Sequence, residues 1–112
     1  MQGVYLKFFV LESQKHGGKL LYEWLLEEAK RTGIAGGSVF RAIAGYGRHG
    51  VIHEETFFEL AGDLPMEVVF AAKPEHAKVL IERLKDEHLH LVYLQIPAEL
   101  GVLGEAPQSA RP

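Results

Sequence analysis

The sequence predicts an α+β fold of the ferredoxin-like kind: an antiparallel sheet with two helices on one face, in the order β-α-β-β-α-β. Three observations predict it. Four short runs rich in β-branched and aromatic residues alternate with two segments of helical periodicity in that order. Glycine and proline punctuate the junctions. Both faces of the outermost predicted strands are apolar, although only two helices exist to cover them.

The first strand is read over residues 3–11, Gly-Val-Tyr-Leu-Lys-Phe-Phe-Val-Leu, followed by a polar turn from Ser13 to Gly18. Lys19 to Thr32 reads as a helix. Leu21, Leu25 and Ala29 recur at four-residue spacing with Trp24 beside them, Lys30 and Arg31 suit its C-terminal end, and Gly33 is placed to stop it. Glu23, Glu27, Glu28, Lys30 and Arg31 read as its solvated side, and Trp24 as a core or interface anchor. Ser38 to Ala44 is a second strand, interrupted by Gly45-Tyr46-Gly47-Arg48-His49-Gly50 and followed by a long polar loop to about Asp63. Leu64 to Ala72 is a third strand. Pro74 opens a second helix whose stripe is Ala77, Leu80, Ile81 and Leu84. Leu89 to Ile96 is a fourth strand, with Pro97 expected to end it. The domain is therefore read as residues 1–97, with a loose tail over 98–112.

At 112 residues the chain has room for one core. An apolar fraction of 47% and a charged fraction of 24% are those of a globular protein. A net charge of −3 without basic clusters supplies no footprint for nucleic acid or an anionic membrane. No apolar run nears the roughly 20 residues that span a bilayer, and no secretory pattern is read at the N-terminus, so the expected location is the cytoplasm. The absence of cysteine excludes disulfides, thiolate nucleophiles and thiolate metal sites.

The uncovered face carries the main physical expectation. Val4, Leu6, Phe8 and Val10 form one face of the first strand, while Tyr5, Phe9 and Leu11 lie opposite with Lys7 among them. Leu89, Leu91 and Tyr93 likewise oppose Val92, Leu94 and Ile96. Removing apolar surface from water is worth about 25 cal/mol per Å². A face of several hundred Å² therefore favours self-association; the alternative is that the loop or the tail folds over it.

Candidate chemistry concentrates in Gly45–Gly50. Its glycines let backbone N–H groups approach a ligand, and Arg48 adds a fork suited to phosphate or carboxylate. The Lys-Ser/Thr ending of a Walker A loop is missing. Gly-rich segments after strands also serve as plain hairpin connections. The six histidines (16, 49, 53, 76, 88 and 90) fall in no metalloenzyme frame and read as scattered surface residues. An alternative is a divalent-metal-binding trimer of the ion-tolerance type using His49, His53 and Glu54. No nucleophile, base and orienting acid can be grouped, so the expectation is a binding protein, not an enzyme.

Gly33-Ile34-Ala35-Gly36-Gly37-Ser38-Val39, Gly45-Tyr46-Gly47-Arg48, Gly50 and Leu64-Pro65 before Glu67-Val68-Val69 resemble the nitrogen-regulatory PII proteins in order and spacing. Over residues 1 to about 97, the further run Glu12-Ser13-Gln14-Lys15-His16-Gly17-Gly18-Lys19-Leu20-Leu21-Tyr22-Glu23 resembles the PII-like domain-of-unknown-function family 190, with Ala42 where that family has glycine. The resemblance implies a homotrimer with ligand clefts between subunits. It implies adenine-nucleotide contacts at Ser38 beside the base and at Gly45, Gly47 and Arg48 beside the phosphates, with His49 helping to hold a metal ion and Gly50 completing the segment. It also implies a target protein contacting loop 48–62. The sequence departs from PII where a glycine-rich, lysine-bearing loop would precede the fourth strand: Lys85-Asp86-Glu87-His88-Leu89-His90 stands there instead. The basic C-terminal stretch of PII and a counterpart of its modification tyrosine are also missing.

Overall fold

A computed structural model of the chain describes residues 1–46, 52–54 and 64–104. The elements are β1 (Gln2–Leu11), β2 (Lys15–His16), β3 (Lys19–Leu20), α1 (Leu21–Arg31), β4 (Gly37–Arg41), β5 (Ala44–Tyr46), β6 (Ile52–Glu54), β7 (Pro65–Ala72), α2 (Pro74–Asp86) and β8 (Val92–Glu99). The main sheet has the order β4-β7-β1-β8, antiparallel throughout, which is the split βαβ arrangement the sequence predicts. Register is pinned by hydrophobic alternation: a one-residue slip would turn the whole buried set of a strand to the other face. Leu6 lies opposite Phe70 and Phe8 opposite Val68, so the two central strands present their largest side chains to the same side.

That side is the core. Val4, Leu6, Phe8 and Val10 of β1 and Met66, Val68, Phe70 and Ala72 of β7 are buried beneath Leu21, Trp24, Leu25 and Ala29 of α1 and Ala77, Leu80 and Leu84 of α2. Phe8 and Phe70 meet edge to face at 6.2 Å. Both helices end in Schellman motifs, which satisfy carbonyls the last turn leaves open. After α1, Ile34 N–H donates to Ala29 and Gly33 N–H to Lys30, with Gly33 at φ +96°. After α2, Leu89 N–H donates to Leu84 and His88 N–H to Lys85, with His88 holding the left-handed position at φ +58°.

The structure differs from the sequence reading in four places. The predicted turn before α1 is a hairpin: β2 and β3 pair across Gly17 and Gly18, both at positive φ, and α1 begins only at Leu21. The second strand ends at Arg41, and Ala44–Tyr46 separates from it to pair with Ile52–Glu54, so the loop opens as a ribbon. The last strand starts three residues late, because Leu89 and Leu91 pack against the core on the way in. It then runs through Pro97 to Glu99. Pro97 is tolerated because β8 is, among the described residues, an edge strand paired with β1 alone. Beyond it, Leu100 N–H donates to the Met1 carbonyl and its side chain lies over Gly3, so order extends into the segment expected as tail.

Candidate functional site

Among the described residues, nothing packs over the second sheet face. By register, Tyr5, Lys7, Phe9 and Leu11 of β1, Glu67 and Val69 of β7, Ser38 and Phe40 of β4, and Val92, Leu94 and Ile96 of β8 share it. Phe9, Leu11, Phe40, Val92, Leu94 and Ile96 are between 37% and 57% exposed, whereas Val4, Leu6, Phe8 and Val10, which alternate with the β1 members of this set, are between 0% and 6% exposed. At its centre the Lys7 ammonium stands 2.7 Å from a Glu67 carboxylate oxygen, across a diagonal pair of β1 and β7. The rings of Tyr5 and Phe9 lie 5.7 and 5.9 Å from the same nitrogen. The hydrogen bond to Glu67 holds Lys7 above its ordinary pKa.

One border of this face is β4. Ser38 lies near its start, opposite Val69, and is exposed on the open face; Phe40 follows two residues on. Arg41 pairs with Glu12, and Ala42 N–H donates to the Pro65 carbonyl, which fixes the exit from the sheet. Gly45 lies in β5, opposite His53 of β6, with open space where a side chain would project. The structure thus places Ser38 in the main sheet and Gly45 in the separate β5–β6 ribbon that follows it. Gly47, Arg48, His49 and Gly50, together with most of segment 48–62, lie outside the described residues, as do the side chains of His53 and Glu54. Among the described residues no three His, Asp or Glu side chains converge as a metal site.

The connection after α2 is part of a network that the sequence reading missed. His16 Nε2 lies 2.9 Å from Glu87 Oε1, and Arg83 donates to Glu87 Oε2 at 2.9 Å. These bonds, His16 first, hold the Glu87 carboxyl below its ordinary value. Arg83 also reaches Glu28 at 3.3 Å, and Arg31 donates to Glu28 at 2.5 Å. Glu28 is therefore not on the solvated side of α1. It is 3% exposed and carries its charge between two guanidinium groups. The i, i+3 pair Glu28–Arg31 and the i, i+4 pair Arg83–Glu87 were legible signals; their meeting across two helices was not. Trp24 is the core anchor expected, and His16, read as a scattered surface histidine, meets its indole at 4.6 Å, edge to face. Glu87 is thus already neutralised by protein groups, and the hairpin β2–β3 is tied to the end of α2. On the helix side, an open groove of about 320 Å³ runs between α2 and β8, lined by Pro74, Lys78, Ile81, Glu82 and Gln95.

Among the described residues no helix is long and apolar enough to cross a membrane. The profile of the DUF190 family, described as "Uncharacterized ACR", matches residues 3–94. The UPF0166 protein of Aquifex aeolicus (strain VF5) is 39% identical over 90 residues, covering 80% of this chain and 86% of that one. A UPF0166 protein of Methanocaldococcus jannaschii is 39% identical over 61 residues, covering 54% and 56%. Among solved structures, CPII, a nitrogen regulatory PII-like protein from Thiomonas intermedia K12 bound to ADP, AMP and bicarbonate, superposes with a TM-score of 0.68 at 18% identity over 91% of both chains. The periplasmic divalent cation tolerance protein CutA of Archaeoglobus fulgidus superposes at 0.52 with 15% identity, over 92% of this chain and 89% of that one. At these identities the two structures speak for the fold. With the family profile over residues 3–94 and a relative 39% identical over 80% of the chain in agreement, the chain belongs to the DUF190 family, on a fold shared with the PII-like protein CPII.

Proposed function

We propose that this protein is a regulatory subunit that assembles as a homotrimer through its open sheet face and binds a small ligand, an adenine nucleotide foremost, in the clefts between subunits. The observation that carries the reading is the position of β4. It borders the apolar face with Ser38 and Phe40 on it, and leads directly into Gly45 at the root of the β5–β6 ribbon. A neighbouring copy laid on that face would wall a cleft along this edge. Ser38 would flank the base, and Gly45, Gly47, Arg48, His49 and Gly50 the phosphates. That CPII shares the fold and binds ADP and AMP supports the choice of ligand class. Signalling would follow if the ligand favoured one arrangement of segment 48–62, which then meets a target protein; the ligand can shift that equilibrium only by its differential affinity.

The connection after α2 narrows the ligand further. PII's glycine-rich, lysine-bearing loop has no counterpart in this connection, where Asp86 and Glu87 stand instead, and Glu87 is held by His16 and Arg83. The reading therefore favours ligands with fewer phosphates, AMP and ADP over ATP. Thermal shift and calorimetry against AMP, ADP and ATP test it. A ligand at 100 times its Kd stabilises by about 2.7 kcal/mol, and Arg48→Ala should remove most of the shift. No stabilisation by any of the three overturns the nucleotide reading. Stabilisation by copper or zinc alone, lost in His49→Ala, would put the metal-tolerance alternative in its place.

A further inference from the structure

We infer that the Lys7–Glu67 pair enters the contact between copies of this chain intact and buried, so that the open face recognises a second copy of itself by apolar fit around a charge-neutral centre. This rests on the self-association proposed above and names what that surface selects for. The four strands carry two charged residues on the open face, Lys7 and Glu67, and each already has its counter-ion in the same chain at 2.7 Å. Around them by register stand Phe9, Phe40, Val69 and Leu94, with Tyr5 beside Lys7. A partner of complementary charge would find no unpaired group to address among these strands. An identical face, apolar and internally neutral, finds nothing to repel it and leaves no charge stranded. The extent fits as well. Four strands about 4.8 Å apart and about eight residues long cover roughly 500 Å² per copy, so two such faces reach the roughly 1,000 Å² a specific interface needs.

The pair is already part-shielded in the single chain, at 20% and 36% side-chain exposure. Its energetic meaning changes when a second copy covers it. An exposed pair contributes little, and losing one partner costs at most a few-fold in affinity. A covered pair that loses one partner strands a buried charge, while losing both leaves only apolar surface. The two situations predict opposite patterns for single and double variants.

Sedimentation of the full chain over a dilution series reads the difference. The wild-type protein is expected to associate. Lys7→Met and Glu67→Gln, which break the pair from either side, should each raise the apparent dissociation constant about 100-fold or more. Lys7→Met/Glu67→Leu should return to within about tenfold of wild type. Lys19→Met, which breaks the exposed Lys19–Glu27 pair on the helix side, should leave association unchanged. Far-UV circular dichroism of each variant separates dissociation from unfolding. A folded wild-type monomer at every concentration overturns the self-association reading and this inference with it. An associating wild type whose single and double variants behave alike overturns this inference alone and places the pair outside the contact.

Discussion

Replacing Gly37 with alanine drives a methyl group into the core from the edge of the sheet. A Cβ built on Gly37 falls 2.6 Å from Phe70 Cδ1 and 3.2 Å from a Leu26 methyl. Phe70 lies opposite Gly37 on β7 and is 1% exposed, wedged edge to face against Phe8, so its ring has no room to retreat. Overpacking of this kind costs about 1–3 kcal/mol. The alanine recovers about 0.4–1 kcal/mol by restricting the unfolded chain, which leaves a net loss of about 1–2 kcal/mol. Gly36 provides the internal control. Nothing lies within 4 Å of its Cβ position and its φ is not in the left-handed region, so Gly36→Ala should be neutral or stabilising by up to about 1 kcal/mol. Urea unfolding at one fixed protomer concentration measures both, since stability of an associating protein depends on concentration. The double variant Gly37→Ala/Phe70→Leu should lose less than the two single losses combined, because the smaller side chain makes room. Equal stabilities for Gly36→Ala and Gly37→Ala would refute the claim that close approach to Phe70 explains the glycine at position 37.

Three further outcomes follow from the helix side. Arg83→Met should destabilise because it leaves a buried carboxylate half-paired, whereas Glu28→Met, which leaves only exposed guanidinium groups, should cost less; the reverse order in chemical denaturation would contradict the assignment of Glu28 as the buried charge. The depressed Glu87 carboxyl contributes stability above its unfolded pKa near 4.5 and loses it as pH falls through the lower folded value, so the Tm advantage of wild type over Glu87→Gln should be present at about pH 6 and shrink progressively as the pH is lowered below about 4.5. A pH-independent difference would remove the electrostatic account. His88→Gly, which relieves a left-handed side chain in the α2 cap, should raise stability by up to about 1 kcal/mol in thermal melts, and a loss would show that the His88 side chain makes a contact of its own.

Much of this architecture was legible in short-range pattern. Period-two alternation in residues 4–11 separated the core face from the open face residue by residue, and Gly33 marked the end of α1 through the left-handed cap it occupies. Pro97 misled, because proline forbids a central strand but not an edge strand, and edge position is a property of the sheet. The Gly17-Gly18 turn read as plain loop because its two-residue strands are too short to show alternation. Of the candidate site residues, the structure positions Ser38 on the open face and Gly45 in the ribbon; Gly47, Arg48, His49 and Gly50 fall outside the described residues.

The amino-acid sequence by itself determined the order of the four main-sheet strands and two helices, the two-faced apolar first strand and the family, since each depends on residues close together along the chain. Only the tertiary structure decided that Glu28 is buried, that Glu87 is held by His16 and Arg83, and that Lys7 meets Glu67 amid the open face. Those are meetings between side chains up to 71 positions apart, and a charge reads the same in sequence whether its partner is water or a guanidinium brought to it by the fold.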